Sequence, residues 1–390
     1  MNTFTIYNGD CVEQMRQLPA KSVNMIFADP PYFLSTGKQR VKIKDVYTTF
    51  DKGEWDRVRS MTEKNDFNRS WLSEAKRLLK DDGTIWVCGS YHNIFSVALC
   101  LDELDFKILN MVVWNKTDPP TTYADDRLSY SAEYIVWARK NSSYHHYYNY
   151  ELMKQLNGGV PLSDVWRLPT VELWEKHCGK HPTQKPLRLL YRIILASTRQ
   201  GDTILDPFAG SCTTGIAANL LGRNFVGIEM DYNFIALGQR RKNEIEDAKI
   251  AEQMLRKMSE KPDEVMVIVN HCRQDLKRLM IEKGICYLRA GDSTGSILVT
   301  PGFERMQYVL LHTGGEDCHL FRLKTRGNFQ IWTKETLEKY GFHPEHSSYY
   351  VVLHFDNAKE IEFIRHPYLK QKINSYRAKI RPLSDFIGID

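Results

Sequence analysis

A chain of 390 residues, 42% of them hydrophobic, is long for one domain and comfortable for two, with enough apolar content for at least one large core. The net charge of +5 is a mild basic excess, which suits a nucleic-acid partner without requiring one. Eight scattered cysteines form no Cys-x-x-Cys pair and no Cys/His cluster at zinc spacing, and neither a leader-like N-terminus nor a membrane-length apolar run is present, so reduced thiols, no metal, no membrane and a cytoplasmic location are expected.

In chain order, Thr3 to Tyr7 alternates like a short strand, and Asn8-Gly9-Asp10-Cys11 turns into an amphipathic helix through Met15 and Leu18. Asp10, at the strand's carboxyl end, reads as a helix N-cap or as a binding carboxylate, and the two roles can coexist. Ser22 to Ile26 is an apolar strand running into Phe27-Ala28-Asp29-Pro30-Pro31-Tyr32. Taken alone that turn could be ordinary. Read functionally, the paired prolines hold the backbone extended, the Asp29 carboxylate and a backbone carbonyl accept from one exocyclic NH2, and Tyr32 offers a flat face to a planar ring.

Residues 33–59 carry Lys38, Arg40, Lys42, Lys44, Lys52 and Arg57 without clear periodicity, which suits a mobile loop gripping a phosphate backbone, or a merely solvated basic loop. Helix and strand then alternate as in an open α/β sheet: helix Phe67 to Leu79, strand Thr84 to Gly89, helix Asn93 to Leu104, strand Phe106 to Trp114 and strand Ala132 to Ala138. A second Asp-Pro-Pro at Asp118 lacks the aromatic, Thr121 standing in its place, and is not expected to be catalytic. Residues 141–180 break the pattern with the run Tyr144 to Tyr150 and with Lys154, Arg167 and Lys176. This insertion reads equally as a base-contacting, target-recognition segment or as aromatics packed on the core.

His181-Pro182-Thr183-Gln184-Lys185-Pro186 precedes a helix, Leu187 to Thr198. The strand Gly201 to Leu205 enters the small-residue turn Asp206-Pro207-Phe208-Ala209-Gly210-Ser211-Cys212, whose helix N-terminus, with the helix expected over Ile216 to Leu221, offers free N–H groups to a polar, nucleotide-like ligand. The following strand, Asn224 to Glu229, ends in an acid where a ribose-binding carboxylate usually stands.

Asp29-Pro30-Pro31-Tyr32, Asp206-Pro207-Phe208-Ala209-Gly210-Ser211, Gly227-Ile228-Glu229 and His181 to Pro186 together resemble the β-class amino-methyltransferases of DNA, nearest the adenine-N6 methylases of Type II restriction–modification systems. The resemblance covers about the first two-thirds of the chain. It implies an α/β fold, a circularly permuted Rossmann-like S-adenosylmethionine-dependent methyltransferase sheet, over residues 1–260. It further implies that Asp10 and Glu229 hold the adenosine of S-adenosylmethionine, that Asp206, Phe208, Gly210 and Ser211 line its cradle, and that His181 and Lys185 lie near its methionine end. Asp29, Pro30, Pro31 and Tyr32 are the implied catalytic residues. DNA is the implied partner, with a cognate restriction endonuclease and a homodimer left open, in a bacterial or archaeal cell. Cys212 departs from the family pattern, which has glycine there, and an ordinary φ is expected for it.

An adenine N6 lone pair is delocalised and weakly nucleophilic, so the site has to localise it and align it with a sulfonium methyl. Cytosine N4 presents a similar group and remains the alternative, as does a catalytically silent DNA-binding subunit. In the final third, a charged helical stretch from Asn233 to Glu260 leads to strand-like runs at 265–269, 285–288, 297–300, 308–312, 319–323, 329–332 and 349–355 and a helix at 334–340, read as a C-terminal α+β domain over 261–390. Arg322, Lys324, Arg326, Phe329 and Trp332 are its candidate DNA contacts, a folded accessory or dimerisation role being as well supported.

Overall fold

The computed structural model describes residues 2–35, 40–43, 46–49, 56–119, 128–171, 173–176, 178–179, 181–246, 266–292, 295–296, 298, 303, 306–314, 317–324, 329–362 and 380–386. The chain forms two compact units, residues 1–149 with 163–239 and residues 150–162 with 240–390. The expected boundary at 260/261, the helical stretch beyond 246, the 297–300 strand apart from Leu298, and Lys38, Lys44, Lys52, Thr121 and Arg326 lie outside the described residues.

The first unit holds β1 (Phe4–Asn8), α1 (Cys11–Gln17), β2 (Val23–Ala28), the antiparallel hairpin β3 (Arg40–Ile43) and β4 (Val46–Thr49), α2 (Met61–Leu78), β5 (Leu79–Gly89), α3 (Ile94–Glu103), β6 (Lys107–Lys116) and β7 (Ala132–Arg139). After α4 (Tyr150–Leu156), which belongs to the second unit, come β8 (Val165–Leu168), α5 (Leu187–Ser197), β9 (Thr203–Asp206), α6 (Thr213–Leu220), β10 (Asn224–Glu229) and α7 (Tyr232–Glu246). Eight strands form one sheet in the order β1-β10-β9-β2-β5-β7-β6-β8. The run from β1 to β5 is parallel throughout, and β7 is antiparallel to both of its neighbours. The strand that opens the chain thus pairs with one more than 200 residues later, Phe4 opposite Phe225, so the permuted order still builds one continuous open sheet.

Local chemistry sets these elements. A capping box at Ser60 and Glu63 starts α2 several residues ahead of the expected helix, satisfying N–H groups that a helix leaves open. Leu72, Ala75, Leu78, Val97 and Leu101 pack with Ile85 and Val87 in one core. Trp86 stacks on Trp137 at 4.6 Å, and its indole N–H donates to Ser197 Oγ at 2.8 Å. Between β2 and α2, the buried Asp56 carboxylate accepts from Phe33 N–H at 2.8 Å and Ser35 Oγ at 3.0 Å, so it joins the two ends of the basic stretch.

Within the expected insertion, His146 and Tyr148 pack half-buried against Trp137, and the Arg199 guanidinium lies 3.8 Å from the half-buried Tyr147 ring centroid, so these rings pack on the first unit. β8 adds an edge strand to the sheet. Asp118 accepts from the Thr170 N–H and hydroxyl, both at 2.7 Å, which makes the second Asp-Pro-Pro a loop tether.

The second unit is α+β. β11 (Met266–His271), α8 (Gln274–Lys283), β12 (Ile285–Arg289), β13 (Gly291–Asp292), β14 (Gly295–Ser296), β15 (Met306–His312), β16 (Cys318–Arg322), β17 (Gln330–Thr333), α9 (Lys334–Lys339), β18 (Tyr349–His354) and β19 (Ile380–Pro382) form sheets ordered β16-β15-β11-β19 and β12-β18-β17, with β13 paired to β14. Val267, Leu310, Leu320 and Phe386 form a core. Phe329 and Trp332 are buried as well, which corrects their reading as DNA contacts: their rings serve packing.

Gly215, inside α6, faces Phe225 so closely that a Cβ would sit 2.4 Å from its ring, with Phe4 at 2.7 Å. Alanine improves helix propensity by about 1 kcal/mol, but overpacking a rigid core costs about 1–3 kcal/mol. Gly215→Ala is therefore expected to lower the melting temperature by a few degrees in a calorimetric scan. A rise would mean that propensity outweighs the contact.

Candidate active site

Parallel strands present their carboxyl ends on one edge of a sheet, and β1, β10, β9 and β2 lie side by side. Asp10, Glu229, Asp206 and Asp29 stand at or just beyond those four ends. The predicted acids are thus gathered by topology, at the edge where open α/β sheets bind ligands.

A cavity of about 550 Å3 opens there, lined by Asp10, Asp29, Arg59, Phe67, His181, Thr183, Phe208, Gly210, Ile228, Glu229, Asp231 and Phe234 among others. Asp10 caps α1, accepting from Val12 and Glu13 N–H, and also borders the cavity. Glu229 Oε2 accepts from Gly210 N–H at 2.8 Å and Oε1 from Asp231 N–H at 2.9 Å. Burial raises its carboxyl, against those N–H donors. Phe208 packs edge-on against Trp71.

Gly210 has φ +50°, and a Cβ there would approach the His181 ring to 3.1 Å. The turn brings the backbone close to that ring because residue 210 has no side chain. Asp206 and Ser211 are buried behind the turn; Asp206 accepts from Phe208 N–H at 3.0 Å and Thr214 Oγ1 at 2.6 Å, fixing its shape. Cys212 does not have the ordinary φ expected of it. It is left-handed at +58°, because its N–H closes the turn onto the Ala209 carbonyl at 2.7 Å. Such a conformation costs a side-chain-bearing residue about 1–2 kcal/mol. Gly238 on α7 makes room for the thiol, since a Cβ there would lie 2.5 Å from Cys212 Sγ.

A second cavity, about 660 Å3, is lined by Tyr32, Trp114, Lys116, Glu133, Lys185 and others, and shares His181 and Thr183 with the first. Between the two lies a buried charge cluster. Lys185 Nζ is 2.5 Å from Asp29 Oδ2 and 3.5 Å from Glu133 Oε2, and Lys116 Nζ is 2.6 Å from Glu133 Oε1. The Tyr32 hydroxyl is 2.9 Å from Asp29 Oδ1 and 3.0 Å from Glu133 Oε2. Burial pushes the Asp29 carboxyl up, Lys185 pulling the other way and Glu133 adding to the rise. For Glu133 burial is outweighed by Lys185 and Lys116, which hold it at about 2. Burial acts to lower the Lys185 ammonium, but Asp29 and Glu133 keep it charged, well above the usual lysine range.

His181 borders both cavities, and Lys185 lines the second while pairing with Asp29, which lines the first. Glu133, Lys116 and Arg59 were not singled out by sequence. Glu133 lies opposite Trp114 in the β6–β7 register, and Lys116 stands two residues further along β6, a proximity that no linear spacing displays. Arg59 lies over the Phe33 and Phe67 rings, 5.0 and 5.5 Å from their centroids, and is the one Lys or Arg among the described residues lining the first cavity.

Residues 23–240 match a family model described as DNA methylase. Over 242 residues the chain is 51% identical to Type II methyltransferase M2.MboI of Moraxella bovis, an alignment covering 62% of this chain and 88% of that protein. Over 241 residues it is 47% identical to Type II methyltransferase M2.DpnII of Streptococcus pneumoniae, covering 62% and 90%. The PvuII DNA methyltransferase (cytosine-N4-specific) matches in fold, with a TM-score of 0.51 at 20% identity over 66% of this chain and 94% of that one.

Burial pushes the Asp206 carboxyl up to about 7, against the Thr214 hydroxyl and Phe208 N–H, which act to lower it. A raised folded-state value means that the stability Asp206 contributes is complete below its ordinary value near 3.8 and is lost as pH rises through about 7. Asp206→Asn removes that ionisation. Its melting temperature relative to the unaltered protein should rise by several degrees between pH 5 and pH 8 in thermal melts, and a constant difference would mean that Asp206 does not titrate in this range.

Proposed function

The chain belongs to the DNA methylase family, and from that membership we propose that it transfers a methyl group from S-adenosylmethionine to adenine N6 at a specific DNA sequence, in a Type II restriction–modification system. The observation that carries the choice of an amino acceptor is the Asp29-Pro30-Pro31-Tyr32 turn, whose carboxylate borders the first cavity while Tyr32 borders the second. Asp in its first position is what the family resemblance associates with adenine.

The first cavity fits the methyl donor in size and donor set. Its volume is within the range of small-molecule sites. Asp10 and Glu229 are acceptors for ribose hydroxyls, Asp231 is a further carboxylate at the cavity wall, Phe208, Ile228 and Phe234 are apolar surface for an adenine ring, and the bare backbone at Gly210 permits close approach. Asp206 and Ser211 shape the cradle from behind, and His181 forms its wall against Phe234. When bound, S-adenosylmethionine supplies an electrophilic sulfonium methyl. Its carboxylate needs a cation; Lys185 is committed to Asp29 and Glu133, which among the described residues lining the cavity leaves Arg59 for this task.

Asp29 and the Pro30 carbonyl accept the hydrogens of the target amino group. These bonds localise the nitrogen lone pair and strengthen as positive charge grows on nitrogen, so they favour the transition state over the ground state. Holding nitrogen in line supplies roughly 7–11 kcal/mol where alignment is good. No strong base is required, because the proton leaves with or after the methyl transfer. A base inside a duplex is out of reach, so the target is flipped into the second cavity beside Tyr32 and Trp114. The hairpin-bearing stretch 33–59 is proposed to grip the phosphate backbone, and residues 141–180 and the second unit to contribute to target recognition. A cognate endonuclease, a homodimer and a nucleoid-associated cytoplasmic location complete the proposal. No described helix is long and apolar enough to cross a membrane.

Nucleoside mass spectrometry of mixed-sequence DNA incubated with S-adenosylmethionine is expected to give N6-methyladenine, and Asp29→Ala, checked for folding by circular dichroism, to lower it at least about 100-fold. N4-methylcytosine would overturn the base assignment, and no methylated nucleoside at all would overturn the enzyme reading. Calorimetric titration separately tests Arg59. Arg59→Ala should weaken S-adenosylhomocysteine binding about 10–100-fold, as expected for a lost charged hydrogen bond, and leave 5′-methylthioadenosine, which has no carboxylate, unchanged. Equal weakening of both ligands would assign Arg59 to packing.

A further inference from the structure

Glu133 lies outside every motif that marks the site, yet it touches each group that touches Asp29. The Tyr32 hydroxyl has one hydrogen and two carboxylate acceptors, Asp29 Oδ1 at 2.9 Å and Glu133 Oε2 at 3.0 Å. The Lys185 ammonium stands 2.5 Å from Asp29 and 3.5 Å from the same Glu133 oxygen. Lys116 holds the far oxygen, Oε1, at 2.6 Å, which fixes the carboxylate with Oε2 turned toward Tyr32 and Lys185.

This arrangement bears on how strongly Asp29 can accept. A carboxylate neutralised by an ammonium and already hydrogen-bonded to a phenol is a weak acceptor for a third donor. Nitrogen becoming cationic needs a strong one. We propose that Glu133 is a positioning residue for methyl transfer: it takes over the Tyr32 hydroxyl and shares the Lys185 ammonium when the target amino group docks on Asp29. Asp29, Glu133, Lys185 and Lys116 balance in charge beside the reacting nitrogen, whereas glutamine at 133 leaves the cluster one unit more positive. The proposal rests on the amino-methyltransferase reading above.

Groups facing Asp29 are Tyr32 on its own turn, Cys88 on β5, Glu133 on β7, Lys185 before α5 and Asp206 at the end of β9. Among them Glu133 raises the Asp29 carboxyl by its charge, so removing that charge lets Asp29 ionise at lower pH.

The test is steady-state kinetics of the full chain carrying E133Q, Y32F or both, with circular dichroism and S-adenosylhomocysteine titration as checks of the fold. E133Q should lower kcat about 10–100-fold, in line with a lost charged hydrogen bond, leave S-adenosylhomocysteine affinity within about twofold, and move the acid limb of kcat/KM to lower pH. E133D should recover part of kcat. The double variant should lose less than the product of the single losses, because both act through one hydrogen bond. Unchanged kcat, an unshifted acid limb, or multiplicative losses would each overturn the proposal. Loss of S-adenosylhomocysteine binding in E133Q would assign Glu133 to structure instead. Absence of transfer by the unaltered protein would remove the underlying reading and this proposal with it, an outcome distinct from active protein with an indifferent Glu133.

Discussion

The buried contact between Asp29 and Lys185 joins residues 156 positions apart and ties the end of β2 to the segment that enters α5. Burying either charge alone is costly, and deleting one partner of such a pair typically destabilises by about 3–5 kcal/mol. The pair therefore constrains both segments at once. The turn after β2 cannot move without leaving an ammonium stranded, and the residues from His181 to Lys185, which form the wall between the two cavities, are held by the same contact. Glu133 and Lys116 extend it to β7 and β6, so three strands of the sheet and the segment entering α5 converge on a cluster with two positive and two negative charges. Burial is tolerable because every charge there has an opposite neighbour.

The turn after β9 accepts strain for a related reason. Two residues within three positions, Gly210 and Cys212, are left-handed, and only one of them is glycine. The cost at Cys212 is offset by the N–H bond to Ala209 and by a pocket for the thiol that exists because α7 places a glycine there. Backbone held this tightly keeps the Gly210 N–H aimed at Glu229, so the acid at the end of β10 and the turn after β9 share one hydrogen bond. Strain of this kind persists where the surrounding contacts over-determine it.

Much of this was legible because the parallel strands are apolar runs terminated by acids: Asp29, Asp206 and Glu229 each end a buried strand, and their common edge follows once the strands are parallel. What escaped reading depends on register or on space. Glu133 reads as an ordinary polar residue at the start of a strand, and only its pairing across from Trp114, one residue short of Asn115 and two short of Lys116, reveals the cluster. Cys212 was expected to have an ordinary φ because the room that Gly238 leaves is 26 positions away in sequence. Phe329 and Trp332 read as candidate DNA contacts because aromatics beside basic residues have the same composition whether they face solvent or core. Helix α8 was missed for a similar reason, its charged positions outnumbering the apolar ones that pack.

The two cavities differ in charge in a way that sorts their ligands. Among the described residues, the carboxylates of Asp10, Asp29, Glu229 and Asp231 stand around the first against one guanidinium, an environment that favours a ligand with net positive charge. Around the second, Lys116, Lys176 and Lys185 face Glu133 and Asp118, a near balance that suits a neutral ring whose backbone is anionic. Asp29 borders the negative cavity while its hydrogen-bond partners Tyr32 and Lys185 border the balanced one, so it is the one strand-end acid whose neighbours reach both. In the proposed reaction, positive charge carried into the first cavity on sulfur would end on nitrogen at the second with the same carboxylate beside it throughout.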